Sequence, residues 1–239
     1  MTIRFVKPDW PAKKNVRAFT TEIGDYSENN FSFHLGINKE KNILNRKRLV
    51  QEFDLPNEPI WLNQIHSSLV IDIDKSITKK LEGDGIFTKK KKNALAILSA
   101  DCLPILISST MEDKICALHG GWRGLSSGII QNAIKLMDCN PGELIVWLGP
   151  GISQAAYEVG DKVYEAFQGF DIVADSQFKK NSKNSWNLDL YGLARLIFNH
   201  CGIYSIYGGN FCTFNEKSRF FSHRRDSKSG RMATILWLD

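Results

Sequence analysis

Apolar residues in this chain come in short, dense runs separated by polar turns. Residues 40–53 carry Ile43, Leu44, Leu49 and Val50 on one side of a helical repeat, which predicts a helix. Residues 60–65 and 69–73 read as strands, and 94–98, 103–108 and 115–119 form a dense cluster of further strands. A helix is expected from about 126 to 137, because Ile129, Ile130, Ala133, Ile134 and Met137 keep the 3.6-residue period. Strands at 144–148, 203–207 and 232–238 alternate with helices at 161–167 and 188–201. Asp161 is the expected cap of the first helix, and Leu193, Leu196, Ile197 and His200 form the apolar stripe of the second. The polar stretch 176–185 (SQFKKNSKNS) predicts a loop. Strand runs broken by helices, without regular βαβ spacing, point to mixed sheets covered by helices. The expected fold class is therefore α+β, with mixed β-sheets packed as a sandwich-like core and helices on the outer faces.

Composition narrows this picture. The chain has 239 residues, 43% of them hydrophobic, and shows neither an internal repeat nor a low-complexity linker. A single catalytic domain spanning 1–239 is the expectation. The longest apolar runs, 94–100 and 103–107, are far short of the roughly 20 residues a membrane helix needs. The N-terminal residues lack the apolar core of a signal peptide. The net charge of +5 includes a lysine run at 89–92, which reads as a solvated turn between strands. No aromatic interleaving accompanies it, so neither a nucleic-acid nor a membrane partner is expected. The five cysteines, Cys102, Cys116, Cys139, Cys201 and Cys212, are odd in number and contain no Cys-x-x-Cys pair. Reduced thiols and a cytoplasmic location follow as expectations.

Three segments depart from the core pattern: Gln64-Ile65-His66-Ser67, Ser99-Ala100-Asp101-Cys102-Leu103-Pro104 and His119-Gly120-Gly121-Trp122-Arg123-Gly124. Each places a metal-ligand type at the end of a strand-like run, where a rigid scaffold presents functional groups. Two imidazoles and a thiolate suit a catalytic zinc with one open position. The spacing of His66, Cys102 and His119 matches no local finger motif, and by itself equally fits two ordinary histidines and a buried cysteine. Gly120 and Gly121 permit close approach to a ligand. Arg123 and Trp122 precede a helix and could form an anion site, or a plain turn with a paired arginine. His223, Arg224, Arg225 and Arg231 form a second basic cluster that could grip phosphate or carboxylate, or simply be solvated and neutralised by Asp226. His223 is a weak ligand candidate. The turn at Gly149-Pro150-Gly151 could line a pocket, and Asp84 could orient a ligating imidazole or cap backbone amides.

Together these segments resemble the YfiH-type purine nucleoside phosphorylase family, also known as the laccase-domain or polyphenol oxidase family. The matching strings are WLNQIHSS, EGDGIFT, SADCLPIL, LHGGWRGLSSGI, WLGPGI, YEVG and FFSHRRDSKSGRMATILWL, in order from Trp61 to Leu238, with a weaker match, FSFHLGIN, from Phe31. The resemblance implies a metal site of His66, Cys102 and His119. It also implies phosphorolysis of adenosine, inosine, guanosine and methylthioadenosine, and deamination of adenosine. Three positions depart from the family pattern. Thr20-Thr21-Glu22 stands where Ser-Thr-Arg is usual, Ile152-Ser153-Gln154 where Ile-Gly-Pro is frequent, and His223 where tyrosine is common.

On this reading Zn2+ is the expected cofactor, with Cu2+ the alternative ion, and the small-molecule partners are purine nucleosides and phosphate. Cys102, His119, Asp84 and Asp101 are the catalytic candidates. Arg123, Arg224, Arg225, Arg231 and Trp122 are the substrate-binding candidates, with Arg123, Arg225 and Arg231 foremost for phosphate. The His-x-Glu and Pro-Cys-x-x-Cys motifs of dedicated nucleobase deaminases are absent, so deamination would use an independent site. Rival readings are a cysteine hydrolase with Cys102 as nucleophile and His119 as base, acting on an amide such as a cell-wall precursor; a copper oxidase of phenols, which the lack of repeated His-x-His motifs disfavours; and a non-catalytic binding module.

Overall fold

The structure, a computed structural model, describes residues 2–24, 29–33, 39–76, 81–168 and 174–239. Two large sheets carry the apolar runs. The five-stranded sheet has the order β1 (Phe5–Val6), β2 (Val16–Thr21), β14 (Met232–Leu238), β6 (Leu95–Ser99), β3 (Ile60–Trp61). The six-stranded sheet has the order β13 (Ile206–Gly208), β9 (Leu144–Leu148), β7 (Leu103–Ser109), β8 (Ile115–Gly120), β5 (Gly85–Thr88), β4 (Val70–Asp72). Both are mixed: β3 runs parallel to β6, β13 to β9 and β4 to β5, while the other pairs are antiparallel.

The period-2 geometry of a strand sends successive side chains to opposite faces, and here both faces are buried. In β6, Leu95 and Ile97 face the space between the sheets, where they meet Leu106, Ala117, Trp147 and Leu236. Ala96 and Leu98 face outward, beneath Leu49 of α1 (Lys39–Glu52) and Phe19, Phe31 and Trp237. In β7, Leu103, Ile105 and Ile107 face the opposite outer layer, formed by α3 (Ile129–Met137) and α5 (Leu190–His200) with α2 (Trp122–Ser126). The α+β sandwich with helices outside is thus the observed architecture. Double-sided burial explains why β6 to β9 read as nearly continuous apolar runs rather than as alternating ones.

A third, small sheet, β10 (Glu158–Gly160), β12 (Ser185–Leu188), β11 (Phe178–Ser182), packs beside α4 (Asp161–Glu165). It corrects the loop expected at 176–185: residues 178–182 pair with 185–188 as a hairpin, anchored by Phe178 and by the stack of Trp186 on Tyr164 at 4.1 Å. Its lysines and asparagines are simply the exposed positions of an edge strand. Asp161 does not cap α4, whose N-cap is Gly160; its carboxylate instead accepts from Trp186 Nε1 at 2.9 Å. The helix expected from 126 to 137 is two helices, because Gly128 adopts φ +88 and restarts the turn. The strand expected at 60–65 stops at Trp61, and the one at 203–207 is Ile206–Gly208. In α5 the buried stripe is Leu190, Leu193, Ala194, Ile197 and Phe198, while His200 is exposed. The lysines at 89–92 form an exposed turn. Residues 34–38 of the FSFHLGIN match lie outside the described residues.

Leu106 is fully buried between the two large sheets. Leu106→Ala is expected to cost about 2–5 kcal/mol in chemical denaturation, as cavity-forming core substitutions do. A loss below ~1 kcal/mol would mean that the sheets do not interlock there.

Candidate metal centre

Three chain crossings between the large sheets build the site. The link from β3 to β4 carries His66, the link from β6 to β7 carries Cys102, and the long link from β13 to β14 carries His223, Arg224 and Arg231. His119 lies near the end of β8, paired with Pro104. The ligand atoms of His66, Cys102 and His119 lie within 4.8 Å of one another. The two imidazoles meet edge to face with centroids 4.9 Å apart.

Two buried carboxylates hold this arrangement. Asp84 is fully buried, and its Oδ1 lies 2.8 Å from His119 Nδ1. Its Oδ2 accepts from Ile65 N, Ser67 N and Ser67 Oγ at 3.2, 2.6 and 2.9 Å, fixing the loop on either side of His66. With Nδ1 engaged, His119 presents Nε2 toward Cys102 and His66, the usual way a carboxylate orients a ligating imidazole. Asp101 does the same for the C-terminal link: it accepts from Thr213 Oγ1 at 2.6 Å, Ser222 Oγ at 3.1 Å and Arg224 N at 2.6 Å. Gln64 clamps the first loop to β6, donating to Leu98 O and accepting from Leu98 N, both at 2.8 Å.

The backbone is held in uncommon conformations here. His66 has φ +59 and Asp101 φ +87, both in the left-handed region that costs a side-chain-bearing residue energy. Gly121 has an ordinary φ but no room for a side chain. A Cβ there would lie 3.2 Å from Cys102 Sγ and 3.3 Å from His66 Cδ2. The glycine thus floors the space that the three ligands surround.

The electrostatics agree with a thiolate donor. Burial alone would push the Cys102 thiol up, but the His119 charge and hydrogen bonds from His119 and His66 reverse this and hold it at about 6. Burial would push His119 down; the Cys102 charge and the Asp84 hydrogen bond instead raise it to about 9. Burial would raise Asp84, yet hydrogen bonds from His119 and Ser67 keep it at about 2. A thiolate and two imidazoles are a donor set for zinc or copper rather than for magnesium or calcium.

Beside the ligands opens a cavity of about 250 Å³, lined by Leu62, Gln64, Leu98, Ser99, Ala100 and Arg231 among others. Of the expected substrate arginines, only Arg231 lines it. Arg225 spends its guanidinium on the carbonyls of Thr213, Phe214 and Phe220, which makes it a brace for the C-terminal link rather than a free phosphate donor. Arg123 is exposed and stacks on Trp122 at 4.4 Å, and Trp122 packs against the helical layer outside the cavity. Arg224 lies over the Tyr157 ring at 5.2 Å. Asp84 and Asp101 stand behind the ligands, outside the cavity lining. His223 does line the cavity, but it is not among the clustered ligand atoms. Glu22, in place of the family's arginine, is buried and paired with Arg219 at 2.7 Å. Sequence reasoning missed the Gln64 clamp, the Ser67 contact, Tyr157 and the role of Gly121; only the intact strings around them signalled these positions.

Asp84→Asn keeps the volume but weakens the hold on His119 and the 65–67 loop. It is expected to lower metal affinity by about 10–100-fold in a chelator competition; unchanged affinity would deny Asp84 its orienting role.

A family profile described as multi-copper polyphenol oxidoreductase laccase matches residues 15–239. A Haemophilus influenzae protein named purine nucleoside phosphorylase is 38% identical, covering 98% of this chain and 99% of the relative. Escherichia coli purine nucleoside phosphorylase YfiH is 35% identical over 98% and 99%. Among solved structures, a Neisseria meningitidis protein superposes with a TM-score of 0.92 at 38% identity, covering 98% of this chain and 99% of that one. Matched over nearly its whole length by profile, sequence and fold, this chain belongs to the YfiH family, the multi-copper polyphenol oxidoreductase laccase family of the profile.

Proposed function

We propose that the chain is a zinc-dependent purine nucleoside phosphorylase that also deaminates adenosine, acting in the cytoplasm as a single catalytic domain. The observation that carries this reading is the convergence of His66, Cys102 and His119 at the mouth of a cavity with an arginine in its wall. The names of the relatives support the same chemistry. Adenosine, inosine, guanosine and methylthioadenosine are the proposed substrates.

In phosphorolysis a phosphate oxygen bonds to the ribose C1′ as the C1′–N9 bond breaks. The purine leaves with the bonding pair and takes up a proton, giving free base and ribose 1-phosphate. The protein's task is to hold both reactants in line and to balance their charge. Arg123, four residues beyond His119, and Arg224, whose backbone is tied to Asp101 next to Cys102 and whose guanidinium lies 5.2 Å from the Tyr157 ring, are the proposed sources of that charge for phosphate. Burial raises the Tyr157 phenol and keeps it a hydrogen-bond donor. His66, Cys102 and His119 would hold the metal, which when bound supplies Lewis acidity to an oxygen at its open position. Asp84 keeps His119 in one tautomer, and Asp101 keeps Arg224 beside Cys102. No helix among the described residues is long and apolar enough to cross a membrane.

Mass spectrometry of products from adenosine, with and without phosphate, tests the reading. Adenine with ribose 1-phosphate reports phosphorolysis, and inosine reports deamination. Cys102→Ala should lose bound zinc and activity together, and chelation of the native protein should abolish activity that added zinc restores. Turnover that survives chelation would instead favour a Cys102–His119 hydrolase. Arg224→Ala should raise the phosphate KM about tenfold, the scale of one charge-assisted hydrogen bond, with the nucleoside KM unchanged. An equal rise in both would remove Arg224 from the phosphate subsite.

A further inference from the structure

The cavity beside the ligands holds a polar group that no described residue satisfies. Ser99 ends β6, is 1% exposed, lines the cavity, and its hydroxyl has no hydrogen-bond partner among the described residues. A buried hydroxyl without a partner is a standing cost in the free protein, and a ligand that pairs it removes that cost. The β14–β6 register pairs Met232 with Ser99, which brings Arg231 to the same end of the sheet. Arg231 is half-buried; its Nη1 donates to Ser229 O at 2.6 Å and Gly230 O at 3.0 Å, which leaves Nε and Nη2 as its remaining donors. The neighbouring walls, Leu62, Leu98 and Ala100, are apolar.

We propose that Arg231 and Ser99 form a base-recognition subsite that ranks 6-oxopurines above the 6-aminopurines it also admits, an inference that rests on the purine nucleoside reading above. A guanidinium offers donors only. A 6-oxopurine presents two adjacent acceptors, O6 and N7, and matches that fork. A 6-aminopurine puts an amino group at position 6, so donor faces donor and the pair is lost. The Ser99 hydroxyl serves as donor or acceptor and meets the neighbouring O6 or N1–H of the same edge. The cavity of about 250 Å³ is smaller than the roughly 300–1,000 Å³ that drug-sized ligands occupy, which suits one bicyclic base between aliphatic walls. Phosphate is the weaker candidate for this place, because the one arginine that lines it is already half engaged by carbonyls, while Arg123 and Arg224 lie outside it.

The test titrates the zinc-loaded protein with hypoxanthine and with adenine by calorimetry, alongside kcat/KM for inosine and adenosine at saturating phosphate. Hypoxanthine is expected to bind on the order of tenfold more tightly than adenine, the discrimination of one bidentate pair. Arg231→Gln should level or invert that ratio, since a carboxamide matches the adenine edge. Ser99→Ala should weaken binding of hypoxanthine several-fold while leaving Tm unchanged or higher, because the free protein loses its unpaired hydroxyl. Equal binding of the two bases by the native protein overturns the proposal. So does an Arg231→Gln protein that keeps the base ratio and loses only phosphate affinity, or a Ser99→Ala protein that loses Tm and keeps its purine affinity. Selective base binding without phosphorolysis of any nucleoside would sink the catalytic reading and leave the subsite standing.

Discussion

The carboxylate of Asp84 is the point on which the centre depends. It sits in a fully buried position immediately before β5 and accepts hydrogen bonds from both halves of the imidazole pair: directly from His119, and through the Ile65 and Ser67 amides from the loop that bears His66. A buried charge is tolerable only when it is well hydrogen-bonded, and this one accepts from His119, Ile65 N, Ser67 N and Ser67 Oγ. Remove that anion and two imidazoles lose their common reference. Asp101 repeats the device one step outward, tying the C-terminal link to the residue beside Cys102. Both aspartates therefore act on chemistry through other groups.

Sandwich architecture supplies the place for this. Strands packed on both faces leave little room for charged groups inside, so function moves to the ends of the sheets. At one end the chain passes between sheets three times and leaves its exceptional backbone there: His66 and Asp101 with positive φ, and Gly121 beneath the ligands. At the 89–92 crossing the chain makes an exposed lysine turn, in which Lys92 also takes a positive φ, so a left-handed residue there serves the turn and not the centre.

The strong apolar runs were legible. β6, β7, β8, β9 and β14 fall where the pattern placed them, because double-sided burial leaves an unbroken signal. Weak elements were not. β5 is four residues within a glycine-rich segment, and the 176–185 stretch is polar because its edge strand faces solvent, which composition alone reads as a loop. The three ligands were legible as residue types at strand ends, and the family strings chose among their alternatives. Arginine roles were not, since a sequence shows three guanidinium groups as equals. Only coordinates show Arg225 saturated by carbonyls, Arg224 over an aromatic ring and Arg231 in the cavity wall. The Glu22 departure likewise resolves into an ion pair with Arg219.

The position of β14 in the five-stranded sheet bears on how the protein is made. It lies between β2 and β6, and the Thr20–Thr234 hydroxyl contact joins residues 214 positions apart. Until synthesis has passed through this strand, the early N-terminal strands have no neighbour to complete their sheet. A nascent chain thus waits with its first strands unzipped, at the mercy of whatever holds exposed edges apart in the cell.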